Sequence, residues 1–118
     1  MPDRPSPTNG ESSPVAALNP LFHEPARLAL LSALAAAEYA DFSALLRFTG
    51  VSKSALSKHL SALSDAGVVS VSQSAADKRG RRVALTQAGR SDFDAYLGTL
   101  ETLVRNAQQP RDGKQQRR

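Results

Sequence analysis

A tight glycine turn between two amphipathic segments constrains the fold of this chain more than any other feature. Before the turn, Phe42, Leu45 and Leu46 form one apolar face at helical spacing, and Asp41 is a suitable N-cap residue. This helix is predicted to end at Gly50, because glycine readily adopts the left-handed conformation that terminates helices. The sequence therefore contains a short helix that is followed at once by a sharp change of direction.

A second helix is predicted directly after the turn, from Ser52 as its N-cap to about residue 66, where Gly67 ends it. Leu56, Leu60 and Leu63 recur at helical spacing and form one apolar face. The opposite face carries short hydroxyls and two cations, namely Lys53, Ser54, Ser57, Lys58 and Ser61.

The patterns on either side complete an order of helix, helix, helix, strand, strand, helix. A Leu- and Ala-rich helix over residues 25–37 is apolar nearly all round and is expected to be central. Alternating segments at 68–74 and 82–86, with a turn between them, predict an antiparallel hairpin. Thr86 is expected to cap the last helix, at 87–105. The apolar residues Val15, Leu18, Leu21 and Phe22 form either a lead-in segment of the same domain or a contact with a second subunit.

The two ends differ from the middle of the 118-residue chain. Residues 1–19 are rich in proline and polar residues, and residues 106–118 are polar and basic. Ordering them would cost chain entropy with little apolar burial in return, so both are predicted to be disordered tails. A single domain is expected at residues 20–105.

Several classes of protein are disfavoured by what the sequence lacks. With no cysteine, disulfides and thiolate zinc sites are excluded, and two histidines without paired carboxylates predict no metal site and no cofactor. The sequence shows no catalytic constellation, so we do not expect an enzyme. Without an apolar span or a signal-peptide pattern, we expect a cytoplasmic, nucleoid-associated protein that does not contact membranes.

The net charge of +4 and the pI of about 10.0 suit an anionic partner. The polar helix can enter the DNA major groove, which is about 12 Å wide. Cations at the hairpin suit phosphates or a narrow minor groove. The simpler interpretations are a solvated helix face and a charged strand edge that blocks aggregation. The predicted DNA-binding residues are Ser52, Lys53, Ser54, Ser57, Lys58, His59 and Ser61 on the helix, and Lys78, Arg79, Arg81 and Arg82 on the hairpin.

Residues 21–105 resemble small winged helix regulators related to the MarR and ArsR groups. The resemblance is carried by Leu21-Phe-His-Glu-Pro-Ala-Arg-Leu-Ala-Leu-Leu, Phe42-Ser-Ala-Leu, Thr49-Gly-Val-Ser-Lys-Ser-Ala-Leu-Ser-Lys-His-Leu, Leu63-Ser-Asp-Ala-Gly-Val-Val, Leu85-Thr-Gln-Ala-Gly-Arg and Phe93-Asp-Ala-Tyr. It implies a mainly α, winged helix-turn-helix fold (α-α-α-β-β-α) with a recognition helix at 52–66, a wing at 68–86 and a dimer built by the terminal helices.

The last helix supports a homodimer independently of that resemblance. At about 19 residues, or roughly 30 Å, it is longer than one small domain needs. The apolar stripe of this helix consists of Phe93, Leu97, Leu100 and Val104. It packs either in the domain's own core or, as we prefer, in a dimer interface.

Four polar side chains have open roles. His59 either touches a phosphate or flanks the core, and His23 is expected to cap or pack locally. Arg27 either reaches a phosphate or pairs with Glu24, and a pairing or backbone contact is expected to hold Arg90.

The favoured function is that of a homodimeric, sequence-specific regulator of transcription, more often a repressor, bound to double-stranded DNA. The alternatives are a protein-interaction module and an architectural DNA-binding protein of low specificity. The sequence identifies no small-molecule effector.

Overall fold

The computed structural model describes residues 18–74 and 80–110, and the predicted order of elements is confirmed within them. The chain enters the domain through a short 3-10 helix at Pro20–Phe22. The elements that follow are α1 (Pro25–Ala35), β1 (Ala40–Asp41), α2 (Phe42–Thr49), α3 (Lys53–Asp65), β2 (Val69–Gln73), β3 (Arg81–Leu85) and α4 (Gln87–Ala107). In these stretches, no helix combines the length and the apolar character that a membrane span needs.

The sheet has one strand more than the sequence predicts. Its order is β1-β3-β2, all antiparallel, and β1 pairs Ala40 with Val83 and Asp41 with Arg82. A strand of two residues has no visible alternation, so only its tertiary partner reveals it. On the other side of β3, Ser74 N–H donates to the carbonyl of Gly80 at 2.9 Å, which closes the stem of the hairpin.

The core lies between the helices and the inner face of this sheet. Helix α1 is central as expected, and its three leucines Leu30, Leu31 and Leu34 are fully buried. Its N-cap is Glu24, whose carboxylate accepts the Arg27 N–H at 3.0 Å, and a proline occupies its first turn. The remaining core side chains are Phe22, Leu45, Leu56, Leu60, Leu63, Val68, Val69, Val83, Leu85, Phe93 and Tyr96.

The segment before α1 packs into its own domain. Phe22 is fully buried and meets Phe93 and Tyr96 edge-on, with ring centroids 5.8 and 5.5 Å apart. Leu18 and Leu21 pack half-buried against the same cluster. Of the two roles predicted for this segment, the structure shows the one within the domain.

Two domain limits differ slightly from the sequence prediction. Asn19 has a defined place as the N-cap of the 3-10 helix, because its side chain accepts the Leu21 N–H at 2.9 Å. Helix α4 continues to Ala107, two residues past the predicted end. Of the predicted tails, residues 1–17 and 111–118 lie outside the described residues.

Gly89 is where α4 comes closest to the rest of the fold, and Gly89→Ala is expected to destabilise the protein. A Cβ there would collide with the carbonyl of Val68, whose oxygen also accepts the Thr86 N–H at 3.0 Å. We expect the free energy of unfolding to fall by about 2–3 kcal/mol, because packed backbone must move.

Urea denaturation followed by circular dichroism measures this change. The matched control is Gly98→Ala in the same helix, since a Cβ at Gly98 meets no atom within 4 Å. Equal stability of Gly89→Ala and wild type would contradict the close approach of α4 to Val68.

Candidate nucleic-acid interface

The turn between α2 and α3 has the geometry that the sequence predicts. Gly50 adopts the left-handed conformation (φ 73°), and its N–H donates to the carbonyl of Leu46 at 2.9 Å. Asp41 stands at the N-cap position of α2, but its side chain makes no capping hydrogen bond. The end of α2 is therefore fixed by backbone geometry, whereas its beginning lacks the expected side-chain cap.

Helix α3 is fixed at both ends and along one face. Ser52 caps its N-terminus, where the hydroxyl oxygen accepts the Ala55 N–H at 3.1 Å. At the C-terminus, Gly67 (φ 77°) allows the Val68 N–H to reach the carbonyl of Leu63 at 2.9 Å. This closure, together with three buried leucines, sets the rotation of α3 about its axis.

With this rotation, most of the residues of α3 that are predicted to contact DNA face the solvent. The hydroxyls and lysines keep their polar groups free of the core, and the backbone N–H groups of the first turn add a partial positive charge. Ser57 is half-buried, and the exposed members of the set are Ser52, Lys53, Ser54, Lys58 and Ser61.

His59 lies at the edge of this exposed face, and the structure shows the predicted role beside the core, whereas its contact with DNA stays a prediction. Its side chain is only 17% exposed, and its Nδ1 accepts a hydrogen bond from Arg27 Nε at 3.0 Å. Its Nε2 is 3.9 Å from Glu24 Oε1, and Arg27 also donates to the carbonyl of Leu21 at 3.3 Å. His59 and Arg27 thus join α3 to α1. The Arg27 guanidinium binds His59 and Leu21 rather than Glu24, which accepts only the Arg27 backbone N–H.

The other open roles are also resolved within the domain. Arg90 donates to the carbonyls of Ala35 and Ala37 at 3.1 and 3.3 Å, so backbone contacts hold it as expected. His23 Nδ1 shares a hydrogen bond of 2.8 Å with the Tyr96 hydroxyl. Burial raises the pKa of Tyr96 above its ordinary value. Across residues 18–74 and 80–110, no group of three His, Asp or Glu side chains could hold a metal ion.

Two of the four predicted wing cations fall in the described part of the chain. Arg81 is exposed and Arg82 half-buried, at the start of β3, while Lys78 and Arg79 lie outside the described residues. The Arg82 guanidinium lies over the Tyr39 ring at 4.1 Å, and the Arg81 guanidinium lies over the Phe42 ring at 4.2 Å.

The sequence alone does not identify these two rings as neighbours of the wing. Phe42 reads as part of the apolar face of α2, and Tyr39 belongs to no periodic pattern. Both flank β1, and each meets its arginine only because β1 pairs with β3. The contacts therefore depend on a strand that is too short to predict.

The predicted dimer face of α4 divides into a buried and an exposed part. Phe93 belongs to the domain's own core at 1% exposure, so its assignment to a dimer interface is corrected. Leu97 and Val104 are 37% and 47% exposed, and Leu100 is half-buried. With Glu101 they line an open groove of about 450 Å³.

A helix-turn-helix followed by an antiparallel hairpin and a further helix defines the winged helix class. The chain belongs to the winged helix DNA-binding domain family, whose pattern it matches over residues 26–104. The winged helix fold that the sequence resemblance implies is thereby confirmed. No curated protein matches the sequence significantly.

Solved structures share this fold. A transcriptional regulator homologue from Pyrococcus horikoshii OT3 superposes with a TM-score of 0.68 at 23% identity, covering 75% of this chain and 89% of its own. NolR from Sinorhizobium fredii gives 0.61 at 27% identity, covering 87% and 95%. The transcriptional repressor CouR, bound to a 23-mer DNA duplex, gives 0.67 at 20% identity, covering 82% and 68%.

Proposed function

We propose that this protein is a sequence-specific regulator of transcription that binds double-stranded DNA as a homodimer and represses its target promoters. The observation that carries the proposal is the solvent-facing row of hydroxyls and lysines on α3, directly after the Gly50 turn. Membership of a DNA-binding family supports the choice of partner. The fold shared with CouR, a repressor seen on a DNA duplex, supports repression as the outcome.

Helix α3 would read base edges from the major groove. Its N-terminal half carries Lys53 and Lys58, which can reach phosphates or guanine acceptors, and serines that can donate or accept at base edges. The three buried leucines hold the opposite face on the core, so the polar row projects as a rigid unit. The hairpin would meet the phosphates beside the groove, where its cations displace counterions.

The exposed groove on α4 would join two copies. Leu97 and Val104 are large apolar side chains that water reaches in the single chain, and a second copy would cover them. A twofold dimer places two recognition helices about 34 Å apart, one duplex turn, on a pseudo-palindromic site. Such a dimer bound at a promoter would occlude it.

The specificity of α3 is tested with DNA recovered by a genomic pull-down and footprinted to define the operator. We expect Ser57→Ala and Lys58→Ala each to lower the operator-to-random affinity ratio by about 10-fold, because a good base contact discriminates by about 1–3 kcal/mol. Gel-shift titrations on operator and random duplex measure the ratio. Ser64→Ala, exposed at the other end of α3, is the matched control and should keep it.

The same titrations distinguish the other functions. No binding to any duplex at low salt would favour a protein-interaction module over a regulator. Equal affinity for operator and random DNA would favour an architectural protein. Repression itself is measured with a promoter–reporter fusion, whose output should rise when the protein is removed.

A further inference from the structure

We propose that Tyr39 and Phe42 are positioning residues of the DNA interface, in that their rings hold the Arg82 and Arg81 guanidinium groups for contact with phosphates. The inference rests on the proposed function, because it assumes that the wing meets DNA. It adds a third element, the β1 region, to the recognition helix and the wing.

The Arg82 guanidinium is held by an aromatic ring that packs against its flat face. Its guanidinium lies 4.1 Å over the Tyr39 ring, and its Nε is buried without a hydrogen-bond partner. Hydrogen bonds at Nε therefore do not orient this group, whereas the ring does. Tyr39 is 44% exposed, so the stacked pair lies at the surface, where a phosphate can approach.

Arg81 repeats the arrangement on the other face of the sheet. Successive residues of a strand point to opposite faces, so Arg81 shares the face of Val83, and Arg82 lies on the outer face. The Arg81 guanidinium lies 4.2 Å over Phe42, the first residue of α2. Two consecutive cations of the wing are thus each held by an aromatic ring that flanks β1.

Stacking leaves the useful part of each guanidinium available. A ring occupies the flat face of the group, while the N–H donors lie in its plane, and those of the two terminal nitrogens can bind a phosphate in bidentate fashion even where Nε is buried, as in Arg82. Holding the side chain in advance also lowers the entropy lost on binding. Because Phe42 begins α2, the rings further fix the wing relative to the helix-turn-helix.

Tyr39→Leu tests the inference, with Tyr39→Phe as the matched control that keeps the ring. On a mixed-sequence DNA duplex, we expect Tyr39→Leu to raise the Kd about 10-fold in the dimer, which loses two such contacts. Tyr39→Phe should stay within about 2-fold of wild type. Fluorescence anisotropy measures the Kd, and thermal unfolding of the same samples shows that the folded domain is retained.

A double-mutant cycle separates positioning from a merely structural role. In an Arg82→Ala background, Tyr39→Leu should cause no further loss of DNA affinity, because the ring acts through that arginine. The equivalent cycle pairs Phe42→Leu with Arg81→Ala. Since Phe42 packs against the core and its variant can lose stability, the exposed Tyr39 carries the decisive comparison.

The outcomes distinguish this inference from the proposed function. If Arg82→Ala weakens DNA binding while Tyr39→Leu binds like wild type, the positioning role is wrong and the wing remains a DNA contact. Equal losses from Tyr39→Leu with and without Arg82 would also overturn the role. If Arg82→Ala itself has no effect on affinity, the part of the proposed function that assigns Arg82 to DNA fails, and the inference fails with it.

Discussion

Leu97→Asp is expected to convert the dimer to a monomer and to weaken operator binding by at least about 100-fold, because two linked half-site contacts become one. Leu97 is 37% exposed on the α4 groove, where a second copy would bury it. An aspartate there would lose its hydration on association without a paired cation, which opposes the contact. Light scattering should show the mass falling from twice the chain mass to the chain mass of 12.5 kDa.

Ala95→Asp is the matched control for this prediction. It introduces the same charge two residues away on α4, at an exposed position on a different face of the helix. Its dimer mass and operator affinity should stay at the wild-type values. A Leu97→Asp protein that keeps the dimer mass would show that the α4 groove is not the interface.

The sequence could predict the helix-turn-helix in detail because its signals are local. The N-cap at Ser52, the spacing of the leucines and the glycines at 50 and 67 all act within a few residues of each other. These local signals all indicate the same helix, so the limits of α3 and its exposed face can be predicted from the sequence alone. The same reasoning locates β2, β3 and α4 to within two residues.

Features that depend on distant partners could not be predicted. Helical spacing places His59 beside Leu56 and Leu63, so the sequence allows it to flank the core, but its partner Arg27 on another helix is visible only in the structure. Phe93 and Leu97 both fit one apolar stripe, but Phe22, from the segment before α1, covers Phe93 and leaves Leu97 exposed. Periodicity identifies an apolar face, whereas the tertiary fold decides which residues of that face are buried within the domain.

Replacing both Arg79 and Arg81 with alanine is expected to weaken binding to operator and random DNA alike, by at least about 100-fold at moderate salt. If both arginines bind phosphates as proposed, the proposed dimer would lose four phosphate-binding cations. Each phosphate contact contributes about 0.9 to the slope of log K against log salt, so the slope should flatten by about 3–4. The operator-to-random ratio should change little, in contrast to the effect of Lys58→Ala.

Anisotropy titrations over a range of salt concentrations measure both quantities. Arg105→Ala is a single-cation control on α4, where the side chain is 64% exposed and pairs with Glu101 at 3.7 Å. It removes one cation per chain outside α3 and the wing and should leave the slope near wild type. Because Glu101 lines the α4 groove, light scattering on the same variant checks that its mass equals that of the wild type. If the double variant binds as tightly as wild type at every salt concentration, the hairpin is not a phosphate contact, and the lysines of α3 must account for the electrostatic attraction to DNA.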